Sequence, residues 1–323
     1  MALTNCVFTN CVVRGGDAGP VTATNGASPQ GGRGLGGAIC NRGGQLTLEG
    51  CLLADCSAGG GQGGGGSPGP ISMAGATGLG GAIFSDSGAC LVENSTFLRN
   101  RALGGEPLTN SETNGPAGHA AGGALAIAGG TLLLHTSQAL TNAAAGAVVQ
   151  LDTAGGGHGC GGALFVESNA TASLEQVTLS GNSASGGGGG QTQEPGNGLG
   201  GALYNAGSLD LEGCSLEYNA AVGGFSRPAG RGLGGALAAV GPVVVNACTF
   251  NDNLAQGGDC PGSGTNGATA GAEGFGGAIQ ADAASVAVTN ATFAFNRAAE
   301  ARAQRHPRRK LRSAPTASAA RWL

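Results

Sequence analysis

Histidine and cysteine are the residues of this chain that most readily bind metal ions or take part in catalysis. The four histidines, His119, His135, His158 and His306, stand far apart in the sequence. The chain contains no His-Glu-x-x-His pair for zinc, no Gly-x-Ser-x-Gly turn for a nucleophilic serine and no Cys-x2-Cys pair. The sequence therefore predicts no catalytic residue, no metal ligand and no cofactor.

A tandem repeat supplies the elements that would position any functional residue. Gly-Gly-Ala followed by Ile or Leu occurs seven times, beginning at residues 36, 80, 122, 161, 200, 234 and 276. Self-similarity at such a period is typical of a solenoid, in which each unit packs on its neighbours.

Apolar residues recur at fixed positions after each Gly-Gly-Ala. The anchor residues are Ile39, Ile83, Leu125, Leu164, Leu203, Leu237 and Ile279. Two pairs of apolar residues with i, i+2 spacing follow, and this alternation is typical of short strands with one buried face. The turn position that comes next holds Cys56, Asn100, Asn142, Asn182, Asn219, Asn253 and Asn296. Alanine stands two residues beyond it in every repeat.

Three short strands in about 20 residues, followed by a return to the same register, predict one turn of a parallel β-helix. Residues 3 to 13 match the end of a repeat, so we expect seven full rungs and one partial rung. The Gly-rich segments before each Gly-Gly-Ala are predicted to be loops inserted at one corner, tolerant of substitution within residues 186–190. We assign residues 1–298 to this domain and residues 299–323 to a basic, disordered tail.

The repeated turn and cysteine positions have structural explanations. The asparagines are expected to form an internal ladder, because each amide can donate to the equivalent carbonyl one rung away. Cys6, Cys51, Cys214 and Cys248 share one repeat position and Cys11 shares another with Cys56. Buried thiols acting as small apolar groups explain these columns. A disulfide between Cys6 and Cys51, or between Cys11 and Cys56, is the alternative.

Charge separates the two predicted regions. Residues 1–298 hold 8 basic and 18 acidic side chains, a net charge of −10, which disfavours a nucleic-acid interface. Residues 299–323 hold 7 basic side chains and one acidic one. This tail could be a basic arm for an anionic surface, but disorder, as in a frameshifted end of the reading frame, explains it better. No apolar run is long enough to span a membrane, and residues 1–6 do not begin a secretory signal.

The paired motif Gly-Gly-Ala-Ile/Leu and Phe-x-x-Asn resembles the repeats of the chlamydial polymorphic outer-membrane proteins and related bacterial β-helix surface proteins. The second motif occurs from Phe97 to Asn100, from Phe250 to Asn253 and from Phe293 to Asn296. The resemblance covers roughly residues 3–298. It implies a secreted or surface-exposed, right-handed parallel β-helix, which in that family is the adhesive passenger of an autotransporter. Because the chain begins within a rung, we expect a fragment of a longer solenoid.

Function is predicted from this architecture. We expect a non-catalytic structural or adhesive module that binds a protein or glycan of a host or neighbouring cell. The alternative is a polysaccharide lyase or hydrolase, since Gly157-His158-Gly159 is similar to a short polygalacturonase motif, although its acidic partners are missing. A calcium- or ice-binding solenoid is disfavoured, because only Thr22-Ala23-Thr24 offers a Thr-x-Thr step.

Three Asn-x-Ser/Thr sequons begin at Asn94, Asn169 and Asn290. Asn94 and Asn290 occupy the same repeat position, so the register explains them at least as well as glycosylation does.

Overall fold

The structure is a computed structural model that describes residues 1–19, 30–64, 74–107, 115–149, 154–190, 194–260 and 271–301. Across these ranges the regular elements are strands, and none of the described residues forms a helix that could cross a membrane. Each full rung contributes one strand to each of five sheets, and every pairing between rungs is parallel. The chain is therefore a parallel β-helix, as the repeat predicts.

Five sheets run along the rod, and we number them in the order in which a rung visits them. The first sheet contains Ile39–Arg42, Ile83–Asp86, Leu125–Ile127, Leu164–Val166, Leu203–Asn205, Leu237–Ala239 and Ile279–Ala281. The second contains Ala2–Thr4, Gln45–Glu49, Ala89–Glu93, Gly130–His135, Ala170–Glu175, Ser208–Glu212, Val243–Asn246 and Val286–Thr289. The third contains Val7–Thr9, Leu52–Ala54, Thr96–Leu98, Gln138–Leu140, Thr178–Ser180, Ser215–Glu217, Thr249–Asn251 and Thr292–Ala294.

The remaining two sheets are narrow. The fourth contains Val12–Arg14, Ser57–Gly59, Arg101–Leu103, Ala143–Ala145, Ser183–Ser185, Ala220–Val222, Leu254–Gln256 and Arg297–Ala299. The fifth contains Gly34–Leu35, Gly78–Leu79, Ala120–Ala121, Gly159–Cys160, Gly198–Leu199, Gly232–Leu233 and Gly274–Phe275. The predicted domain boundary at residue 298 falls inside the last strand of the fourth sheet, and residues 302–323 of the basic tail, with His306, lie outside the described ranges.

The main core lies between the first three sheets. Val92 is paired with Leu48 on one side and with Leu134 on the other, and at most 1% of any of these side chains is exposed. Matching apolar residues of successive rungs therefore stack in columns, which confirms the register read from the sequence. A lone rung would order about 20 residues around only a few apolar side chains, which does not offset the loss of conformational entropy. Stability therefore depends on the burial of these columns between stacked rungs.

The predicted asparagine ladder is present and is fully bonded inside the core. Asn142 Oδ1 accepts from Asn100 N–H at 2.9 Å and from Asn100 Nδ2 at 3.0 Å. Asn142 Nδ2 donates to Asn182 Oδ1 at 3.0 Å and to Phe97 O at 3.1 Å. The left-handed residue of this turn is the one before each asparagine, such as Arg99 and Thr141, and not the asparagine itself. The ladder thus satisfies buried backbone groups at a corner where the strands end.

Cysteine and serine are interchangeable in the column that begins the third sheet. Ser95 Oγ accepts from Cys51 N–H at 3.0 Å, and Cys248 Sγ accepts from Cys214 N–H at 3.3 Å. All ten cysteines of the chain lie in the described ranges and all are free, so the alternative of disulfides joining Cys6 to Cys51 or Cys11 to Cys56 is wrong for this structure. The small size and weak hydrogen-bonding capacity of the thiol suit this position.

The anchor glycines form the corner between the fifth and first sheets. The first glycine of each of the seven described anchors has φ between +61° and +66°, a left-handed conformation that favours glycine. A Cβ on the second glycine, as at Gly37, would overlap Gly81 O of the next rung. Glycine is therefore required twice at each of these corners.

The Gly-rich segments are more regular than predicted, and three strands per rung is an underestimate. The alanine column lies in the fourth sheet and packs against the glycines and Ala120 of the fifth, as in the cluster of Ala102, Ala120 and Ala144. Beyond these two sheets, the chain leaving each rung and the chain returning to it lie side by side. We call the two sheets with these paired segments the glycine fin.

Backbone hydrogen bonds alternate between the outgoing and returning segments of the glycine fin. Gly61 N–H donates to Gly32 O at 2.8 Å, and Ala76 N–H donates to Gly61 O at 3.0 Å. The same alternation continues along the described fin as far as the bond from Ala301 N–H to Ala272 O, at 3.1 Å. An added Cβ at Gly186 or Gly187 would overlap a facing carbonyl oxygen, of Gly196 and Ala147 respectively. The expectation that residues 186–190 tolerate substitution is therefore wrong for these two glycines.

Candidate binding face

The outward side of the fifth sheet carries a regular polar array along the described rod. A polar residue precedes each two-residue strand by one position, and it lies three residues before Gly-Gly-Ala. These residues are Arg33, Thr77, His119, His158, Asn197, Arg231 and Glu273. Strand alternation turns the next residue, Gly or Ala, toward the fin interior and the following residue outward again.

Three of these polar side chains are held by backbone groups of the next rung. His119 Nδ1 accepts from His158 N–H, His158 Nδ1 accepts from Asn197 N–H, and Asn197 Oδ1 accepts from Arg231 N–H, each at 2.8 Å. An imidazole whose Nδ1 accepts a hydrogen bond carries its proton on Nε2 when it is neutral. Both histidines therefore present an Nε2–H donor away from the ladder.

The two imidazole rings stack with centroids 4.9 Å apart and planes within 4°. Burial lowers the pKa of His119 below its ordinary value of 6.5. Burial also lowers the pKa of His158, helped by the neighbouring His119 and opposed by the carboxylate of Glu194. The pair is accordingly neutral at physiological pH, which the Nδ1 acceptors require.

The outward donor atoms of this array have no hydrogen-bond partner among the described residues. They are Thr77 Oγ1, the two histidine Nε2 atoms, Asn197 Nδ2 and the Arg33 guanidinium. The Arg231 guanidinium lies over the Phe275 ring, 5.8 Å from its centroid. We call Arg33, Thr77, His119, His158, Asn197 and Arg231 the donor row. It offers one donor group per rung over six successive rungs.

An apolar row runs parallel to the donor row, two residues further along each strand. It comprises Leu35, Leu79, Ala121, Cys160, Leu199, Leu233 and Phe275. Most of these side chains are half-buried, and Phe275 is 39% exposed. The outward residues of the first sheet continue the apolar surface around the corner, where the Phe165 and Tyr204 rings stack with centroids 5.4 Å apart.

A shallow cavity opens at one end of the donor row. It has a volume of about 220 Å³ and is lined by Arg33, Thr77 and His119 with residues of the returning fin segments, including Gln30 and Pro116. Two charged or polar donors and one imidazole thus face a common space.

The carboxylates of Glu49, Glu93, Glu175 and Glu212 lie on a different side of the rod, whereas Glu194 acts on His158 and Glu273 continues the polar array of the fifth sheet. Glu49 is in register with Glu93, and Glu175 with Glu212, on the outer edge of the second sheet. Among the described residues, no group of three or more His, Cys, Asp or Glu side chains is arranged to hold a metal ion. The Gly157-His158-Gly159 segment places its histidine in the donor row, away from these acids.

The histidines show no motif when each is taken alone, so sequence patterns for catalysis or metal binding do not reveal this array. His119 and His158 are separated by one repeat interval, and the shared distance from Gly-Gly-Ala was the signal that could have joined them to Asn197 and Arg231. The exposed side chains of Asn94 and Asn290 both occupy left-handed turns before the third sheet, as the register explanation of these sequons requires. Thr22-Ala23-Thr24 lies outside the described residues.

Comparison with known proteins assigns this chain to no family. The chain matches no protein-family profile and no curated protein. Among solved structures it is similar to ORF18 of Geobacillus virus E2, at 8% identity and a TM-score of 0.17, over 78% of this chain and 54% of that one. This chain thus spans about half the length of that protein, and a likeness this low carries no argument.

Proposed function

We propose that this protein is a non-catalytic, adhesive β-helix module of a secreted or cell-surface protein, of the kind found in the polymorphic outer-membrane proteins. Its partner binds along the donor row and the adjacent apolar row. The observation that carries this proposal is a row of donor groups, one per rung, beside a half-buried apolar row; from Arg33 to Asn197 the outward donor atoms have no hydrogen-bond partner among the described residues.

The rigidity of the array supports a binding role. Each imidazole or amide of the ladder is held by a backbone N–H of the next rung, so it is oriented before any partner arrives. Preorganised groups lose little conformational entropy on binding, which favours affinity.

Adhesion of the purified chain to cells or extracted surface material tests the proposal. Asn197→Asp is the informative variant, because the remaining carboxylate oxygen can still accept from Arg231 N–H while the amide donor is lost. Gln138→Glu makes the same chemical change on the exposed side of the third sheet and is the control. We expect Asn197→Asp to reduce adhesion and Gln138→Glu to leave it unchanged. Equal adhesion by both variants would contradict the proposal.

An assay for released reducing ends and unsaturated sugars on acidic and neutral polysaccharides tests the enzymatic alternative. If the purified chain degrades one of these polysaccharides, the proposed non-catalytic function is wrong and the enzymatic alternative is right.

A further inference from the structure

We infer that the partner of the donor row is a neutral, extended glycan of β-1,4-linked pyranoses that lies parallel to the rod axis with one sugar per rung. This inference rests on the proposed binding function and names the chemical class of the partner. It follows from the spacing of the donors along the rod, from the low charge of the face, and from the position of the donor row beside the apolar row.

The period of the donor row is set by the backbone. Adjacent rungs pair as neighbouring strands, so successive donors are about 4.8 Å apart. The measured spacing of the His119 and His158 rings, 4.9 Å, agrees with this value. A partner that bonds several donors at once must repeat its acceptors at nearly this distance.

An extended peptide does not meet that condition. Groups on one side of an extended strand repeat every two residues, about 6.6 Å. This repeat is about 1.8 Å longer than the spacing of the rungs, so a peptide along the axis loses register with the donors by that distance at each rung. Two rungs of mismatch exceed the range of a hydrogen bond. A chain of β-1,4-linked pyranoses advances by close to one rung per sugar and keeps hydroxyl groups along both of its edges.

Charge favours a neutral polymer over an anionic one. Residues 1–298 carry a net charge of −10, and only Arg33 and Arg231 of the donor row are cationic. Nucleic acids and acidic polymers are bound through many Lys and Arg contacts, which this face does not have. The three central positions, His119, His158 and Asn197, are neutral donors suited to hydroxyl oxygens.

The polarity of the face matches the polarity of a sugar ring. The donor row and the apolar row are two residues apart on the same strands, a separation of about 6.6 Å. A pyranose has hydroxyl groups at its edge and C–H groups on its face. One sugar can therefore place its edge at His158 and its C–H face on Cys160 or Leu199. The next sugar, which the β-1,4 linkage turns over, presents its opposite edge and its opposite C–H face to the same two rows one rung higher.

Isothermal titration calorimetry of the full chain with cellohexaose tests this inference, and maltohexaose is the matched ligand control. The two hexasaccharides have the same composition and charge, but the α-linked chain coils and cannot keep one sugar per rung. We expect cellohexaose to bind at least about tenfold more tightly than maltohexaose. Equal binding of the two, or binding of neither, would overturn the inference.

Variants locate the contact. Asn197→Asp and Thr77→Val each remove one outward donor, and each should raise the Kd for cellohexaose about tenfold. Gln138→Glu should leave it unchanged. Circular dichroism and melting temperature establish folding, and Thr77→Val provides the second measurement if Asn197→Asp does not fold. An unchanged Kd in a folded variant of the donor row would contradict the assigned contact.

The experiments distinguish an error in the glycan assignment from an error in the proposed adhesive function. If no hexasaccharide binds but Asn197→Asp still reduces adhesion, the glycan assignment is wrong and the binding face stands. If adhesion is also insensitive to Asn197→Asp, the proposed function itself is wrong. Binding of an extended apolar peptide that competes with adhesion would assign the face to a protein partner instead.

Discussion

Asn142 illustrates how single residues of this chain replace backbone functions. Its amide bonds to asparagines on both neighbouring rungs and to a carbonyl of the preceding rung, so buried groups at a strand end have partners that water cannot provide. A second ladder lies on the outside of the rod, where one atom of each side chain accepts a hydrogen bond from a backbone N–H of the next rung. Its members are His119, His158 and Asn197. The difference is that each side chain of the outer ladder keeps one donor with no hydrogen-bond partner among the described residues.

Replacing Asn142 by alanine should lower the free energy of unfolding by roughly 2–4 kcal/mol, because Asn100 N–H and Asn100 Nδ2 both lose their acceptor inside the core. Chemical denaturation followed by circular dichroism measures the change. Gln138→Ala, at an exposed position of the preceding strand, is the control and should have little effect. If Asn142→Ala lowers the free energy of unfolding by no more than Gln138→Ala does, the ladder is not a source of stability.

Leu211→Asp should destabilise the chain by about 4 kcal/mol or more, because it places an unpaired carboxylate in the core. Leu211 is 1% exposed, whereas its neighbour Asp210 points to solvent. Asp210→Ala should change stability by no more than about 0.5 kcal/mol. Thermal melts of the two variants distinguish them, and equal shifts would contradict the register of the second sheet.

Stability should fall as the pH is lowered through the titration of His119 and His158. Both folded-state pKa values lie below the ordinary 6.5, so the unfolded chain binds more protons in this range. The stabilisation is complete above pH 6.5 and is lost as the pH falls through the lowered values. Melting temperatures between pH 8 and 5, compared with those of the His119→Asn/His158→Asn double variant, measure the effect. The double variant keeps acceptors in the ladder, so it should show the smaller pH dependence.

At the scale of elements, small residues allow the fourth and fifth sheets and the fin segments to approach closely. In the seven full rungs alanine is the largest inward side chain between the two sheets, and beyond them outgoing and returning backbones bond directly to each other. Hydrogen bonds within one layer recur three residues apart, as from Gly60 to Leu103 and from Gly63 to Glu106, which is the period of a polyproline II chain. Glycine here is a packing residue and not a sign of flexibility.

Gly187→Ala should destabilise the fin strongly, because its Cβ would overlap Ala147 O of the neighbouring rung. Gly16→Ala is the matched control, since a Cβ there meets nothing within 4 Å. We expect a clear loss of melting temperature for the first and none for the second. Hydrogen exchange of the Gly187 amide, which is bonded to Gly157 O, would show whether the loss is confined to the fin.

At the scale of the whole molecule, stability is a sum over rungs and their interfaces, because each rung contacts its neighbours along the axis. The glycine fin extends this one-dimensional order to the segments between rungs. A long face of constant spacing follows from the same order, and the proposed binding of a polymeric partner depends on it.

Deleting residues 161–199 removes one repeat and joins Cys160 to Gly200, which preserves the order of positions at the corner. We expect this variant to fold with the same circular dichroism spectrum and a rod shorter by about 5 Å in small-angle scattering. Deleting residues 161–180 removes only part of a rung and should prevent cooperative folding. Similar behaviour of the two deletions would be incompatible with stacked, registered rungs.

The sequence alone determined the repeat, the parallel β-helix, the core columns and the asparagine ladder. These features depend on residues at fixed distances from Gly-Gly-Ala, such as Leu48, Val92 and Leu134, and a period-two pattern of burial is visible in one dimension. The tertiary structure decided the rest, namely the fourth and fifth sheets, the close packing of Gly186 and Gly187, and the alignment of His119 with His158. Two-residue strands and glycine segments have no hydrophobic periodicity of their own, so their order comes only from contacts between rungs that are about 40 residues apart.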